Sequence, residues 1–546
     1  MGSSKVMSAE AAAGLIKDGD CLTVSGTVMF MLPTKVLQAL EVRFLTEGHP
    51  RDITWFDPFP TGLPGIEPLS HEGFLKRVIG GWYTPHPALR EMILSNKVEA
   101  YMYPLGSLSF ICQQLAAGRN GFLTQVGLET YLDPRQTGGR LNDITKEELV
   151  SLVHLDGAEY LWYKAFPITA ALIRATTADE DGNLSLEEEF LTMNVLYQAM
   201  AARRYGGRVI AQVKRVVPAG SIHPRMVAVP GLLVDAIVVD EHQRVDEGQP
   251  DRDWLHQTDQ VARPPIPVLV SSDAEVWKAW LVEGRLDPKA LDDPYPLSAD
   301  KIIARRAAFE FKPGDVVNIG AGLPARNISP VTIEEDFGRE VELTAEGGVI
   351  GGIVNGSGFN SNVKFYFDTP GIFSFYQAGL INTTYLGMLQ FDRQGNVNLL
   401  RYGDILVGPG GSMDIAHSAR KIVFCGTFDA GGLQVRADDG KLAVVQEGKT
   451  LRAVDKVQAV CFNGPKMHRE GKEVLYVTER AVFRLTVQGP VLCEVAPGVD
   501  IERDVIGRMG FRPVIAPDLK TMDGRIFRKE PMGLKRAWPA APGPMQ

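Results

Sequence analysis

The residues with the clearest capacity for chemistry in this 546-residue chain lie in VELTAEGGVIGGIVNGSGFNSN, residues 341 to 362. A strand-like VELT delivers one carboxylate, Glu346, straight into a turn carrying Gly347, Gly348, Gly351 and Gly352. Glycines leave the backbone bare, so a ligand can come up against both the main chain and the preceding side chain. Glu346 would then stand at the C-terminal end of a strand, where open α/β sheets hold their ligands. Taken alone, the segment reads more plainly as a tight turn after a solvated glutamate, so chemistry here needs support from elsewhere in the chain. Asn360 and Asn362, just beyond, would polarise a substrate carboxylate or simply cap the turn.

Other chemistries find less support. ADEDGN (178 to 183) has the composition of a calcium loop but lacks the twelve-residue ligand pattern, and a turn closed by Asx hydrogen bonds is the better reading. The nine histidines form no HExxH or HxH pair, and the five cysteines, Cys21, Cys112, Cys425, Cys461 and Cys493, are scattered with no CxxC; no metal is expected, and the thiols read as reduced core residues. No GxSxG elbow is present, and IGAGLP is not GxGxxG, which disfavours a serine hydrolase and a nicotinamide enzyme. Arg174 and Arg215 could pair with phosphates, although such arginines more often form ion pairs within the protein.

The elements that must position these groups read as α/β. KDGDCLTVSGTVMFMLP (17 to 33) and KPGDVVNIGAGLP (312 to 324) share a design. A Lys-x-Gly-Asp turn leads into a short apolar run typical of a buried parallel strand, then a small-residue loop ending in proline. Helix-like segments follow, TKVLQALEVRF and RNISPVTIEEDF, and further strand candidates include RVIAQVKRVV, LLVDAIVVDE, KIVFCGTF and AVCFNG. Two α/β domains of mostly parallel sheet are predicted, 1–285 and 286–530, with a loosely ordered tail over 531–546. Their connection is rich in Pro, Asp and Gly, yet Trp254, Val268, Leu269, Trp277 and Trp280 are apolar enough to pack. A net charge of −9 argues against a nucleic-acid surface. No run of about 18 apolar residues is present, so neither membrane insertion nor secretion is expected and a cytoplasmic location is.

Several stretches together carry a family resemblance: TAEGGVIGG, IRATTADEDGNLSLEEEF (173 to 190), VGLETYLDPRQTGGRLN (126 to 142), YLGMLQFDRQGNVNL (385 to 399), GPGGSMDIAHSARKIVFCGTF (408 to 428) and VVNIGAGLP (316 to 324). In order, spacing and total length the chain resembles the family I CoA-transferases of the fused type, the acetate, propionate and 3-oxoacid CoA-transferases. The resemblance implies two homologous halves, alpha-subunit-like then beta-subunit-like, with the active site at the cleft between them and Glu346 as nucleophile. A carboxylate there would attack an acyl-CoA thioester, pass through a mixed anhydride and hold coenzyme A as a glutamyl thioester until a carboxylic acid reverses the sequence. It further implies that Gly320, Ala321, Gly322, Gly347, Gly348, Gly408, Gly410 and Gly411 bind CoA or a developing oxyanion, that no metal takes part, and that the enzyme is a homodimer or homotetramer. For the glycines outside the Glu346 turn, structural turns are an equally good reading.

The departures from the family pattern fall where substrate should sit. Leu105, in Pro104-Leu105-Gly106, replaces a glutamine, and the loop after Gly26 carries Met29, Phe30, Met31 and Leu32 where glycines are usual. A Gly-Gly-Leu-Asp pattern becomes Ala378 to Asn382, so Asn382 replaces a carboxylate, and Ser412 replaces a phenylalanine. An acyl pocket of Gly26, Met29, Phe30, Met31, Leu105, Gly106 and Asn382 would suit a larger or more apolar acyl group. The alternatives are an acyl-CoA hydrolase, cleaving a thioester or a C–C bond with the same Glu346, and a non-catalytic CoA-binding scaffold.

Overall fold

The computed structural model describes residues 5–28, 30–189, 191–243, 297–352 and 363–537. These form two compact units. The first takes in the described residues through 243 together with Phe367–Phe373 and Tyr402–Asp414, and the second holds the rest. The predicted boundary after residue 285, with its five packing residues, lies outside the described residues.

In the first unit the strands run in the order Val227–Val229, Leu184–Ser185, Ala170–Asp179, Cys21–Val24, Ile53–Phe56, Leu75–Gly80, Glu99–Met102. Arg208–Val217 lies beside Ala170–Asp179 and carries Ala236–Val239 on its far side. All pairings are parallel except those made by the two shortest strands. Ala170–Asp179 is buried at every position, as a strand covered on both faces must be. The helix Val195–Arg204 packs on it. Helix Thr34–Glu47 begins after Pro33 and ends at Gly48, whose φ of 74° closes the last turn as few other residues could. Helix Leu105–Ala116 starts at Pro104 and buries ten of its twelve residues.

The second unit's sheet has the order Phe365–Tyr366, Val349–Ile350, Glu342–Ala345, Val316–Ile319, Thr383–Gly387, Lys421–Cys425, Glu473–Val477, Ala481–Thr486, Gly489–Val495, Val514–Thr521. The five strands from Glu342–Ala345 to Glu473–Val477 are parallel, and antiparallel hairpins extend both edges. Helix Leu323–Glu334 packs on Val316–Ile319 and Thr383–Gly387.

The repeat seen in the sequence is a repeat of geometry. The Asp20 carboxylate accepts the Lys17 N–H at 2.7 Å, and the Asp315 carboxylate accepts the Lys312 N–H at 3.0 Å. Gly19 and Gly314 both take positive φ, 75° and 82°. The carbonyls of Asp20 and Asp315 then accept from Thr54 and Glu342 at 2.9 and 2.8 Å, starting the next parallel strand in each unit.

Two expectations need correction. AVCFNG (459 to 464) is not a strand: Cys461 and Phe462 make only a bridge to Val397, and the Asn463 side chain caps the helix Gly464–Arg469. The sheet strand is Glu473–Val477, just beyond. The start of the tail is anchored rather than loose, since the buried Glu335 carboxylate accepts from the N–H of Met532 and, at 2.9 Å, of Leu534; residues 538–546 lie outside the described residues.

Candidate active site

Glu346 sits at the tip of a β-hairpin. Thr344 pairs with Ile350 and Ala345 with Val349, so Glu346, Gly347 and Gly348 form the whole connection. Gly348 closes it with φ 108° and an N–H donated to Ala345 O at 3.1 Å, a conformation that a Cβ would oppose. Glu346 is half-buried at the C-terminal end of the outermost of the five parallel strands.

Under it lies a polar ladder that no sequence motif announced. Thr344, Asn318 and Thr384 are register partners on three adjacent strands. Tyr376, near the end of helix Thr369–Gln377, bridges them from above. Thr384 Oγ1 donates to Asn318 Oδ1 at 3.0 Å, Asn318 Nδ2 to Tyr376 Oη at 3.1 Å, Tyr376 Oη to Thr344 Oγ1 at 3.1 Å, and Thr344 Oγ1 to Val317 O at 3.1 Å. All four side chains are fully buried. Burial pushes the Tyr376 phenol up, its hydrogen bonds to Thr344 and Asn318 oppose the rise, and the charge on Glu346 adds to it.

In the same unit, Gly320 spends its N–H on Tyr385 O at 2.8 Å, and a Cβ there would lie 2.8 Å from that oxygen. Ala321 and Gly322 are exposed. Gly322, at φ 84°, is the N-cap of helix Leu323–Glu334, and its glycine offers no side chain to the first-turn N–H groups, which favour an anion. Asn382 lies elsewhere. Its amide oxygen accepts the Val316 N–H at 2.8 Å, at the starting end of the strand whose far end is Gly320. The acyl-pocket role expected for Asn382, alongside Gly26, Met29, Phe30, Met31, Leu105 and Gly106, is therefore withdrawn; the side chain serves the sheet.

The first unit gathers a second group. The loop Gly408–Gly411 docks onto Gly81, Tyr83 and Leu105: Tyr83 N–H donates to Val407 O at 3.0 Å, Gly410 N–H to Gly81 O at 3.3 Å, and Leu105 N–H to Gly410 O at 3.0 Å. A Cβ on Gly408 would come within 2.6 Å of Gly81 O, so here close packing demands the glycine. Asp414, fully buried, accepts from Gly106 N–H at 2.9 Å and Ser107 Oγ at 3.1 Å, placing an anion at the N-terminus of helix Leu105–Ala116. Gly408 and Gly410, expected to bind CoA, and Leu105 and Gly106, expected in the acyl pocket, thus pack against one another, with Asp414 as the organiser that sequence spacing of some three hundred residues concealed.

The apolar loop after Gly26 folds on itself. Thr27 and Phe30 exchange backbone hydrogen bonds at 3.0 and 2.7 Å, Ser25 Oγ donates to Met31 O at 2.9 Å, and a Cβ on Gly26 would strike Leu32. Phe30, Met31 and Leu32 are all withdrawn from solvent; Met29 lies outside the described residues, as do Asn360 and Asn362. Val28 and Met31 hold φ of 47° and 58°, costly for side chains of this size. What holds Val28 is its N–H bond to Pro60 O at 2.8 Å, within a turn closed by Asp57, whose carboxylate accepts from Thr61 N–H at 2.9 Å and Thr61 Oγ1 at 3.2 Å. Burial pushes Asp57 up to about 7 and its neighbour His86 down to about 4. Arg174 forms a buried pair with Glu189 at 3.0 Å, and Arg215 is held by Glu187 and Glu188, so both arginines are engaged by carboxylates. ADEDGN is an Asx turn, with Asp179 accepting from the Asn183 main chain and side chain at 2.9 Å each.

Residues 5–240 match the Coenzyme A transferase family. The acetate CoA-transferase YdiF of Escherichia coli is 37% identical, covering 97% of this chain and 96% of its own. The caffeate CoA-transferase of Acetobacterium woodii is 34% identical over 97% and 99%. Among solved structures, that of the Escherichia coli acyl-CoA transferase YdiF in a thioester complex with CoA superposes with a TM-score of 0.88, at 36% identity and 97% coverage of both chains. With identity of this level spread over nearly its whole length and the same fold beneath it, the chain belongs to the coenzyme A transferase family, in the fused form that carries both halves on one polypeptide.

Proposed function

We propose that this transferase moves CoA from an acyl-CoA donor to a carboxylic acid through a covalent thioester on Glu346. One observation carries the reading: a half-buried carboxylate at the C-terminal end of the outermost of five parallel strands, on a three-residue hairpin connection that is otherwise glycine. A Glu346 carboxylate oxygen attacks the donor thioester carbonyl, and the CoA thiolate leaves as the mixed anhydride forms. The thiolate then attacks the glutamyl carbonyl, releasing the donor's carboxylate and leaving glutamyl-CoA. An acceptor carboxylate runs both steps in reverse. One thioester replaces another, so no ATP is consumed. Gly322 and the N–H groups opening helix Leu323–Glu334 suit a CoA phosphate, and the sheltered Phe30, Met31, Leu32 and Leu105 suit an acyl group larger than acetyl.

The test is mass spectrometry of the peptide around TAEGGVIGG after incubation with an acyl-CoA and borohydride reduction, which should convert Glu346 alone to the alcohol. Glu346→Gln should lose nearly all turnover while still binding CoA. Retention of most of the wild-type rate would defeat the assignment.

A further inference from the structure

The ladder beneath Glu346 is an expensive way to fill the middle of a sheet. A phenylalanine at 376, valines at 344 and 384 and a leucine at 318 would fill the space with no side-chain polar atom to satisfy, whereas a buried polar network is tolerable only if every member finds its partner. Here each does, and in one direction. The donors run from Thr384 through Asn318 and Tyr376 to Thr344, and the last hydroxyl ends on the Val317 carbonyl. A chain with a fixed sense and a backbone terminus has no alternative arrangement to flip into, so it pins three strands and the helix above them in one register.

Its place in the sheet relates it to the reaction. Thr344 is two residues before Glu346, on the strand that delivers the carboxylate to the hairpin turn. Tyr376 bonds the first and senses the charge of the second. During the exchange proposed above, Glu346 changes from an anion to a neutral acyl group and back. A network that reoriented with each change would reduce the rate; one already saturated does not move.

We propose that Tyr376 is a positioning residue for Glu346, its phenol locking Thr344 and with it the strand end from which the carboxylate projects. This rests on the reading of Glu346 as the nucleophile. The loss expected on removing the hydroxyl is one of aim: a misplaced reacting group costs rate and leaves substrate binding nearly intact.

Single-turnover formation of glutamyl-CoA, followed by mass spectrometry, and steady-state kinetics test it together. Tyr376→Phe should slow thioester formation and lower kcat by roughly 10- to 100-fold with KM within about twofold. Thr344→Val should do the same, Thr344→Ser should retain most of the wild-type rate, and the Tyr376→Phe, Thr344→Val double variant should be little worse than either single, because both break one chain. The Thr344→Ser and Thr344→Val pair asks the question without disturbing the buried ring. If Tyr376→Phe and Thr344→Val lower the thermal midpoint but form thioester within about twofold of wild type, the network is structural and the proposal falls. Glu346→Gln, run alongside, separates the two ideas: loss of turnover there with an unaffected Tyr376→Phe overturns only the positioning role, while retained turnover in Glu346→Gln overturns both.

Discussion

Asp57 should make this protein less stable as the solution becomes more alkaline, and Asp57→Asn should remove that dependence. The carboxyl is buried, with Thr61 as its hydrogen-bond partner, and burial lifts it from the usual 3.8 to about 7. In the unfolded chain it ionises near its ordinary value. Between about pH 4 and pH 7 the folded state therefore holds a proton that the unfolded state has lost, so stability declines as pH rises through this window and levels off above it. A shift of three units corresponds to about 4 kcal/mol at full ionisation, of which about 2–3 kcal/mol develops between pH 5 and pH 8. His86, held down to about 4, stays neutral in the folded state while the unfolded chain's imidazole binds a proton below about 6.5, so it raises stability with pH in part of the same window. This contribution is common to both proteins and cancels in the difference between Asp57→Asn and wild type, and Tyr83, pushed well above its ordinary range by burial, stays protonated throughout. An asparagine retains an oxygen for the Thr61 N–H, so the turn that supports Val28 survives. Urea denaturation of both proteins at a series of pH values should show Asp57→Asn gaining on wild type as pH rises. A difference that stays constant with pH, or a variant that is the less stable at about pH 8, would refute the reasoning.

Asp414→Ala should lower stability by about 1–3 kcal/mol, because it strands the buried Gly106 N–H and Ser107 hydroxyl; calorimetry reads the change, and Ser107→Ala, which leaves the Gly106 bond intact, should cost less. Across a panel of acceptors, longer or aromatic acids should exceed acetate by more than about tenfold in kcat/KM, given about 0.8 kcal/mol per buried methylene. A preference for acetate would mean that Phe30, Met31, Leu32 and Leu105 do not shape the pocket, and CoA release without any acceptor would indicate hydrolysis.

Local features were legible in the sequence wherever chain neighbours decide them. The Lys-x-Gly-Asp turns foretold two parallel strands, because carboxylate, glycine and strand start lie within four residues of one another. VELT followed by Glu346 and two glycines foretold a strand ending in a tight turn, and the hairpin Glu342–Ala345 to Val349–Ile350 is that turn. Pairing across the sheet was not legible. Nothing around Tyr376 marks it as the bridge between Asn318 and Thr344, and Asp414 caps a helix that begins at Leu105. Asn382 was placed by analogy with a pattern, but an asparagine before a strand bonds a neighbour's N–H as readily as it faces a ligand. AVCFNG failed for a related reason: a short apolar run looks the same whether it ends as a strand or as a buried loop.

The loop Tyr402–Asp414 belongs to the first unit although it follows much of the second in the chain. For biosynthesis this sets an order. When residue 243 leaves the ribosome, Gly81, Tyr83, Leu105, Gly106 and Ser107 still lack their backbone and carboxylate partners. At roughly 5–20 residues per second the missing segment follows about ten to thirty seconds later. Through that interval the nascent first half carries a bare helix N-terminus and open main-chain groups, and it is in this form that a chaperone would meet it.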